Sequence, residues 1–120
     1  MTRFGIILTV VAAGITATAN LFLRKGLTQV PESGTGMQRL IYLLGDGFFV
    51  VGILLYGVAM LPWLKVVSTE PLGSAYPFVV GLTFVMLLFG VVFFFNEPLS
   101  FKKIAGAILI VVGITIVAQA

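Results

Sequence analysis

The chain has 120 residues, 60% of them hydrophobic and 9% charged, with a mean hydropathy of +1.21 and a net charge of +3. Too few polar residues are present to cover a soluble domain of this length, so the class is an integral membrane protein, and its continuous apolar runs exclude a strand-alternating barrel. The absence of cysteine and histidine excludes disulfides, thiolate or imidazole metal sites and the usual catalytic base, and the few cations suit topology and headgroup contact better than nucleic acid.

Four apolar segments, at about Phe4–Leu23, Leu40–Leu64, Leu72–Phe95 and Phe101–Ala118, each reach the roughly 20 residues that cross a bilayer as a helix. The expected fold is an all-α bundle of four transmembrane helices in one domain covering residues 1–120, with no soluble part for an enzyme site, no cofactor and no metal. The first segment has the outline of a signal peptide, with Arg3 before an apolar run and Ala17-Thr18-Ala19 after it. It is read here as a retained helix. Thr9, Thr16, Asn20 and Arg24 then share one side, and Asn20 is expected to face protein because an amide is costly in lipid. Arg24 and Lys25 close the helix at the interface. The stretch from Gly26 to Arg39, with Pro31, Glu32, Ser33, Gly34, Thr35 and Gly36, reads as a solvated loop.

In the second segment Asp46 stands between Gly45 and Gly47. Two readings are open: a carboxylate embedded in a helix that began at Leu40, and so a candidate proton or cation site, or the cap of a helix that starts at Gly47. Gly45, Gly52, Tyr56 and Trp63 fall on one face, a pattern for close helix approach. Trp63 and Lys65 are either an interfacial belt pair or part of a binding site beside the Glu70-Pro71 turn. Pro71 suits a helix start. Pro77 is expected to kink or loosen the third span beside Tyr76 and open a polar notch there. Tyr76, Val80, Thr83, Leu87 and Gly90 form one face, whereas Phe78, Val85 and Phe89 face lipid, as does the Phe93–Phe95 run. Ser100 is expected to cap the last helix, with Lys102 and Lys103 anchoring it, and no regulatory tail is expected beyond it. Gly106 and Gly113 mark a contact face on that helix.

Pro71-Leu72-Gly73-Ser74-Ala75-Tyr76-Pro77, Asn96-Glu97-Pro98-Leu99-Ser100 and the final helix resemble the corresponding parts of the drug/metabolite transporter superfamily. Two branches of that superfamily have this size: the small multidrug resistance proteins and the subunits of the aminoarabinose-phosphoundecaprenol flippase. The multidrug branch depends on a glutamate in its first helix; the matching position here is Ala17. Its third-helix tryptophan is Val79 here, although Tyr76 and Gly81 match. Trp63-Leu64-Lys65 and the Asn20 to Arg24-Lys25 stretch look like the flippase subunits instead.

The resemblance implies a transporter subunit that moves a polyprenyl-phosphate-linked sugar or related lipid across a bacterial or archaeal inner membrane. The expected substrate-binding residues are Asn20, Arg24, Lys25, Trp63, Lys65 and Tyr76, with Lys65 aided by Arg24 or Lys25 at the phosphate. It also implies pairing through Gly106, Leu109, Ile110 and Gly113, in a homodimer, parallel or antiparallel, or a heterodimer with a paralogue. Cations count five (Arg24, Lys25, Arg39, Lys102, Lys103) against two (Arg3, Lys65) on the two sides, so both termini are expected outside the cytoplasm. Two other readings remain at this point. One is a proton-coupled exporter of small cationic or polar compounds using Asp46 or Glu70; the other is an accessory subunit packed against a membrane glycosyltransferase.

Overall fold

The computed structural model describes residues 2–29 and 36–119, and the turn formers Pro31 to Thr35 lie outside them. The described residues form five helices and no strand: α1 (Arg3–Gln29), α2 (Gly36–Leu44), α3 (Gly47–Thr69), α4 (Leu72–Phe94) and α5 (Phe101–Gln119). Four of them, α1, α3, α4 and α5, are long and apolar enough to cross a membrane. The short α2 leaves Met37, Leu40, Ile41 and Leu44 exposed.

Helix α1 is the axis of the bundle. It packs along α3 and against α4, while α5 packs chiefly on α4. Its buried residues are small: Gly5, Thr9, Ala12, Ala13, Ala17, Ala19 and Gly26. Lipid is as apolar as a leucine side chain, so helices in a membrane gain by approaching closely enough for backbone to touch, and small residues permit that. A Cβ built on Gly26 would lie 2.8 Å from the Phe49 nitrogen, and one on Gly52 would lie 2.8 Å from Leu23 Cγ. These contacts fix an antiparallel register in which three residues back along α1 match three forward along α3. Carried further, the same register sets Thr9 opposite Val66, and both have 0% exposure. It ends with Gly5 against the Glu70 side chain.

The buried stripe of α3 is therefore Gly52, Ala59 and Val66; of the expected Gly45, Gly52, Tyr56 and Trp63, Gly52 belongs to it and Tyr56 reaches α1 at its edge through Asn20. Gly45 lies outside α3, at the break that separates it from α2. The expected second span from Leu40 is thus two helices. Asp46 decides the break: its Oδ1 accepts the Phe49 N–H at 3.1 Å in an extended cap conformation.

Two prolines lie inside helices, Pro62 in α3 and Pro77 in α4. Pro77 does not interrupt α4, which continues from Leu72 to Phe94. Pro77 comes early, so the bond it removes is the one to Gly73, whose surroundings are open. Pro71 is the cap of α4, with its carbonyl accepting the Ser74 and Ala75 N–H groups. On two opposite sides of α4, Gly81 receives Ile110 and Ile114 of α5, and Gly90 receives Leu21 of α1. Ile110 is therefore an internal packing residue. A Cβ added at Gly106 or Gly113 would meet nothing within 4 Å, and Leu109 is exposed. At the start of α5, Ser100 Oγ accepts the Lys103 N–H at 3.2 Å, the cap anticipated from sequence.

Candidate functional site

The polar residues gather at the two ends of the bundle. At the first end, the last turns of α1 meet the start of α3, the end of α4 and the start of α5. Asn20 donates its amide to the Thr16 carbonyl at 2.9 Å and accepts the Tyr56 hydroxyl at 2.8 Å. The threonines of that stripe bond back into α1, Thr9 to Gly5 and Thr16 to Ala12, so only Asn20 among them reaches another helix. One turn on, Arg24 forms an ion pair with Glu97, and its guanidinium lies 5.2 Å from the Phe95 ring centroid. Lys25 Nζ lies 4.6 Å over the Phe48 ring, which itself stacks on Phe22.

Glu97 reaches Arg24 because the chain reverses sharply after α4. Asn96 takes a left-handed conformation with φ of 53°, which asparagine tolerates better than most residues. The Glu97 N–H then donates back to the Val91 carbonyl at 3.2 Å. Lys103 Nζ donates to the Pro98 carbonyl at 3.2 Å and stands on the same rim.

Two open grooves flank this cluster. One, of about 440 Å³, runs between α1 and α4, with Asn20, Arg24, Glu97 and Lys103 at its polar end and Leu21, Phe84, Leu87, Leu88 and Val91 along its wall. The other, of about 590 Å³, is lined by Lys25 and by Phe22, Phe48, Phe94 and Phe95, with Thr18, Leu21, Thr28 and Gln29. Phe94 and Phe95 thus do more than face lipid. A third groove, of about 490 Å³ and wholly apolar, lies between α4 and α5 and takes in Val85 and Phe89.

At the second end, Trp63 and Tyr76 bridge α3 and α4 with ring centroids 6.1 Å apart. Lys65 is two residues past Trp63, about 200° around the helix, so it does not share their face. It is exposed and has no ion pair among the described residues. It also lies about 20 Å along the bundle from the level of Leu23 and Gly52, at about 1.5 Å per residue. A single phosphate therefore does not touch Lys65 together with Arg24 or Lys25 within one chain; the grouping expected from sequence needs a groove shared between two subunits.

Glu70 lies at this second end, only 9% exposed. Its carboxylate accepts the Thr2 hydroxyl at one oxygen and the Thr2 N–H at 3.2 Å at the other. Thr2 in turn caps α1 by accepting the Gly5 N–H at 3.0 Å. The Thr2 hydroxyl, more than any other group, holds the Glu70 carboxyl below its ordinary range, with the Thr2 amide adding to it and partial burial opposing. Negative charge also suits a helix N-terminus. Glu70 is thus occupied with Thr2 at the start of α1. Asp46 is likewise occupied as a cap.

Sequence reasoning missed Glu97 as the partner of Arg24, Tyr56 as the partner of Asn20, and Lys103 as a groove residue. The signal for Tyr56 was present: it sits one turn beyond Gly52, as Asn20 sits just short of one turn before Leu23, on antiparallel helices. No comparable local signal pointed to Glu97, which read as part of a turn.

Fold and site together define a small, multi-pass integral membrane protein with four spans and a charged, aromatic-lined groove at one end. The chain is similar to proteins of known name over nearly its whole length. It is 36% identical over 110 residues to an Erwinia tasmaniensis protein named "Probable 4-amino-4-deoxy-L-arabinose-phosphoundecaprenol flippase subunit ArnE", covering 92% of this chain and 94% of that one. A Proteus mirabilis protein named as the ArnF subunit is 30% identical, with 98% and 93% covered. A Pseudomonas aeruginosa ArnE subunit is 33% identical, with 81% and 90% covered. The chain belongs to the family of these flippase subunits. No family model matches it, and no solved structure does.

Proposed function

We propose that the chain is one subunit of a transporter that flips a polyprenyl-phosphate-linked sugar between membrane leaflets, and that it is not an enzyme. The observation that carries this reading is full-length similarity to both ArnE and ArnF subunits, joined to a cationic groove at one membrane face. A phosphate leaving water needs cations or several amide donors, and Arg24, Lys25 and Lys103 stand at the groove rims. Five cations at this end against two at the other orient it toward the cytoplasm, the leaflet from which the lipid loads. Asn20, fixed by Tyr56, offers its amide edge to a sugar hydroxyl. At the far leaflet Trp63 and Tyr76 give an aromatic ledge for the sugar or first isoprene units, and Lys65 a second attraction for phosphate as the lipid leaves.

One chain walls this route on one side only, so a second subunit completes it. The open face of α5, carrying Gly106, Leu109 and Gly113, is the surface for that pairing. ArnE and ArnF being named as separate subunits supports a paralogous partner.

The test is reconstitution in vesicles, alone and with a paralogous subunit, of a fluorescent polyprenyl-phosphate sugar whose outer-leaflet fraction is read by chemical quenching. Flipping that falls at least tenfold in Arg24→Ala is expected, since a charge-assisted contact is worth about 1.5–3 kcal/mol. A wild-type pair that leaves the lipid in its original leaflet would overturn the function. Unimpaired flipping in Lys65→Ala would remove lysine from the exit side.

A further inference from the structure

The 440 Å³ groove carries charge of both signs at one point. Arg24 and Lys103 are cations, and Glu97 is the one acidic side chain on the lining. A groove built for an anion alone gains nothing from a carboxylate there, because like charge repels a phosphate. Nor is the pair well placed to serve as a structural pin. The Arg24 and Glu97 side chains are 48% and 26% exposed, and ion pairs open to solvent contribute little to stability. Such a pair exchanges partners at small cost.

We propose that Glu97 is a specificity-determining residue that accepts the ammonium of an amino-sugar headgroup. The proposal rests on the reading of the chain as a lipid-linked-sugar transporter subunit; an amino sugar stands in the relatives' names, and what is added is the residue that receives its charge. A lipid with one phosphodiester and one ammonium matches the site charge for charge. Its phosphate takes Arg24 and Lys103, with Lys103 leaving the Pro98 carbonyl, and its ammonium takes the place of the Arg24 guanidinium on Glu97. Each of the three protein charges then keeps an opposite partner. A purely anionic headgroup draws Arg24 away and leaves Glu97 unpaired beside the phosphate, a cost that a zwitterion does not incur. Asn20, on the groove lining and held by the Tyr56 hydroxyl of α3, keeps the sugar-facing edge fixed while the charges exchange. Leu88 and Val91 continue the groove toward lipid, where the hydrocarbon leaves it.

The experiment compares binding of two lipids to the full chain in mild detergent, with its paralogous subunit present, by native mass spectrometry. One probe is a polyprenyl phosphodiester of an amino sugar; the other is the same lipid N-acetylated, which removes the positive charge and little else. The wild type is expected to favour the free amine by roughly tenfold or more, the scale of one charge-assisted hydrogen bond. In Glu97→Gln the ratio falls toward one from both directions, since the amine loses its acceptor and Arg24 is released to the phosphate. Glu97→Asp, which keeps the charge, retains the preference and shows that the chain tolerates change at this position. A wild-type ratio near one, or an equal ratio in wild type and Glu97→Gln, would overturn the role of Glu97 and leave the transporter reading standing. A wild type that captures neither lipid would overturn both.

Discussion

Replacing Gly26 by alanine tests whether α1 and α3 touch backbone to backbone at the end that carries the charged groove. The added Cβ would meet Phe49 N at 2.8 Å, Phe49 Cβ at 2.9 Å and Phe49 Cα at 3.0 Å. Carbon atoms rest at about 3.5–4.0 Å, so the helices must part by roughly half an ångström or more. Overpacking of this kind costs about 1–3 kcal/mol. A second cost arises because the struck nitrogen is the one that Asp46 caps at 3.1 Å, and losing a cap costs about 1 kcal/mol. The gain in helix propensity from glycine to alanine, about 1 kcal/mol, acts in the other direction. Gly57→Ala, in α3 but with nothing within 4 Å, receives that gain and neither cost.

The two variants should therefore differ by about 2–4 kcal/mol. Unfolding by a rising fraction of sodium dodecyl sulfate in mild-detergent micelles, followed by far-ultraviolet circular dichroism, measures the difference. Gly26→Ala should also blunt the groove, because it displaces the end of α1 on which Arg24 and Lys25 sit. Equal stability of Gly26→Ala and Gly57→Ala would refute the close crossing and the register built on it.

Asp46→Asn should stay within a few tenths of a kcal/mol of wild type and keep transport, because an asparagine oxygen caps as well as an aspartate, whereas Asp46→Ala should lose about 1 kcal/mol in the same titration; loss of transport in the asparagine variant would return Asp46 to proton coupling. Glu70 has a depressed carboxyl pKa in the folded chain, so its contribution is fully present at neutral pH and disappears as pH falls through and below the ordinary carboxylate range. Thr2→Val, which removes the main cause of that depression, should flatten the acid limb of a stability-against-pH curve, and an unchanged limb would sink the assignment. Gly113→Leu should not weaken the single chain against unfolding, since nothing lies within 4 Å of that site and leucine is the better helix former, while lowering subunit pairing measured by energy transfer between labelled chains in vesicles at least several-fold. Undiminished pairing would clear the α5 face of that role.

Hydropathy alone sufficed for the four spans, because crossing a bilayer demands about twenty apolar residues and little else in a sequence mimics that. It did not suffice at Asp46, where apolar sequence continues on both sides of Gly45-Asp46-Gly47 and local pattern allows either an embedded acid or a cap. What decides is a hydrogen bond to Phe49, which is local but depends on where the chain turns. At Pro77 the helix runs on: proline removes a donor anywhere in a helix, but the loss matters little when the orphaned carbonyl is Gly73, near an open end. Ile110 packs inward rather than toward a partner because Gly106 and Gly113 define a stripe only to within a fraction of a turn, and Gly81 of α4 claims the neighbouring side. Arg24 with Glu97 was out of reach entirely, since it joins residues 24 and 97 through the meeting of three helix ends.

The distribution of charge along the bundle bears on how two subunits would sit. Within one chain the groove with Arg24, Lys25 and Lys103 and the ledge with Trp63, Tyr76 and Lys65 occupy opposite ends, so on the proposed route each subunit would offer one place to load and another to release rather than one complete phosphate site. An antiparallel copy would place Lys65 of one chain at the level of Arg24 of the other and make the two faces of the pair alike in charge. A partner of the same orientation would double each station and keep the cation excess on one side. The bias of five against two favours insertion one way round, because basic residues near span ends are retained in the cytoplasm. A carrier that takes its cargo from one leaflet and leaves it in the other also gains from unlike ends: strong attraction where the lipid is collected, and a single exposed lysine where it must be let go. Same-orientation pairing through α5 would meet both conditions at once, whereas an antiparallel pair would bring Lys65 to the level of Arg24 and make its two ends alike.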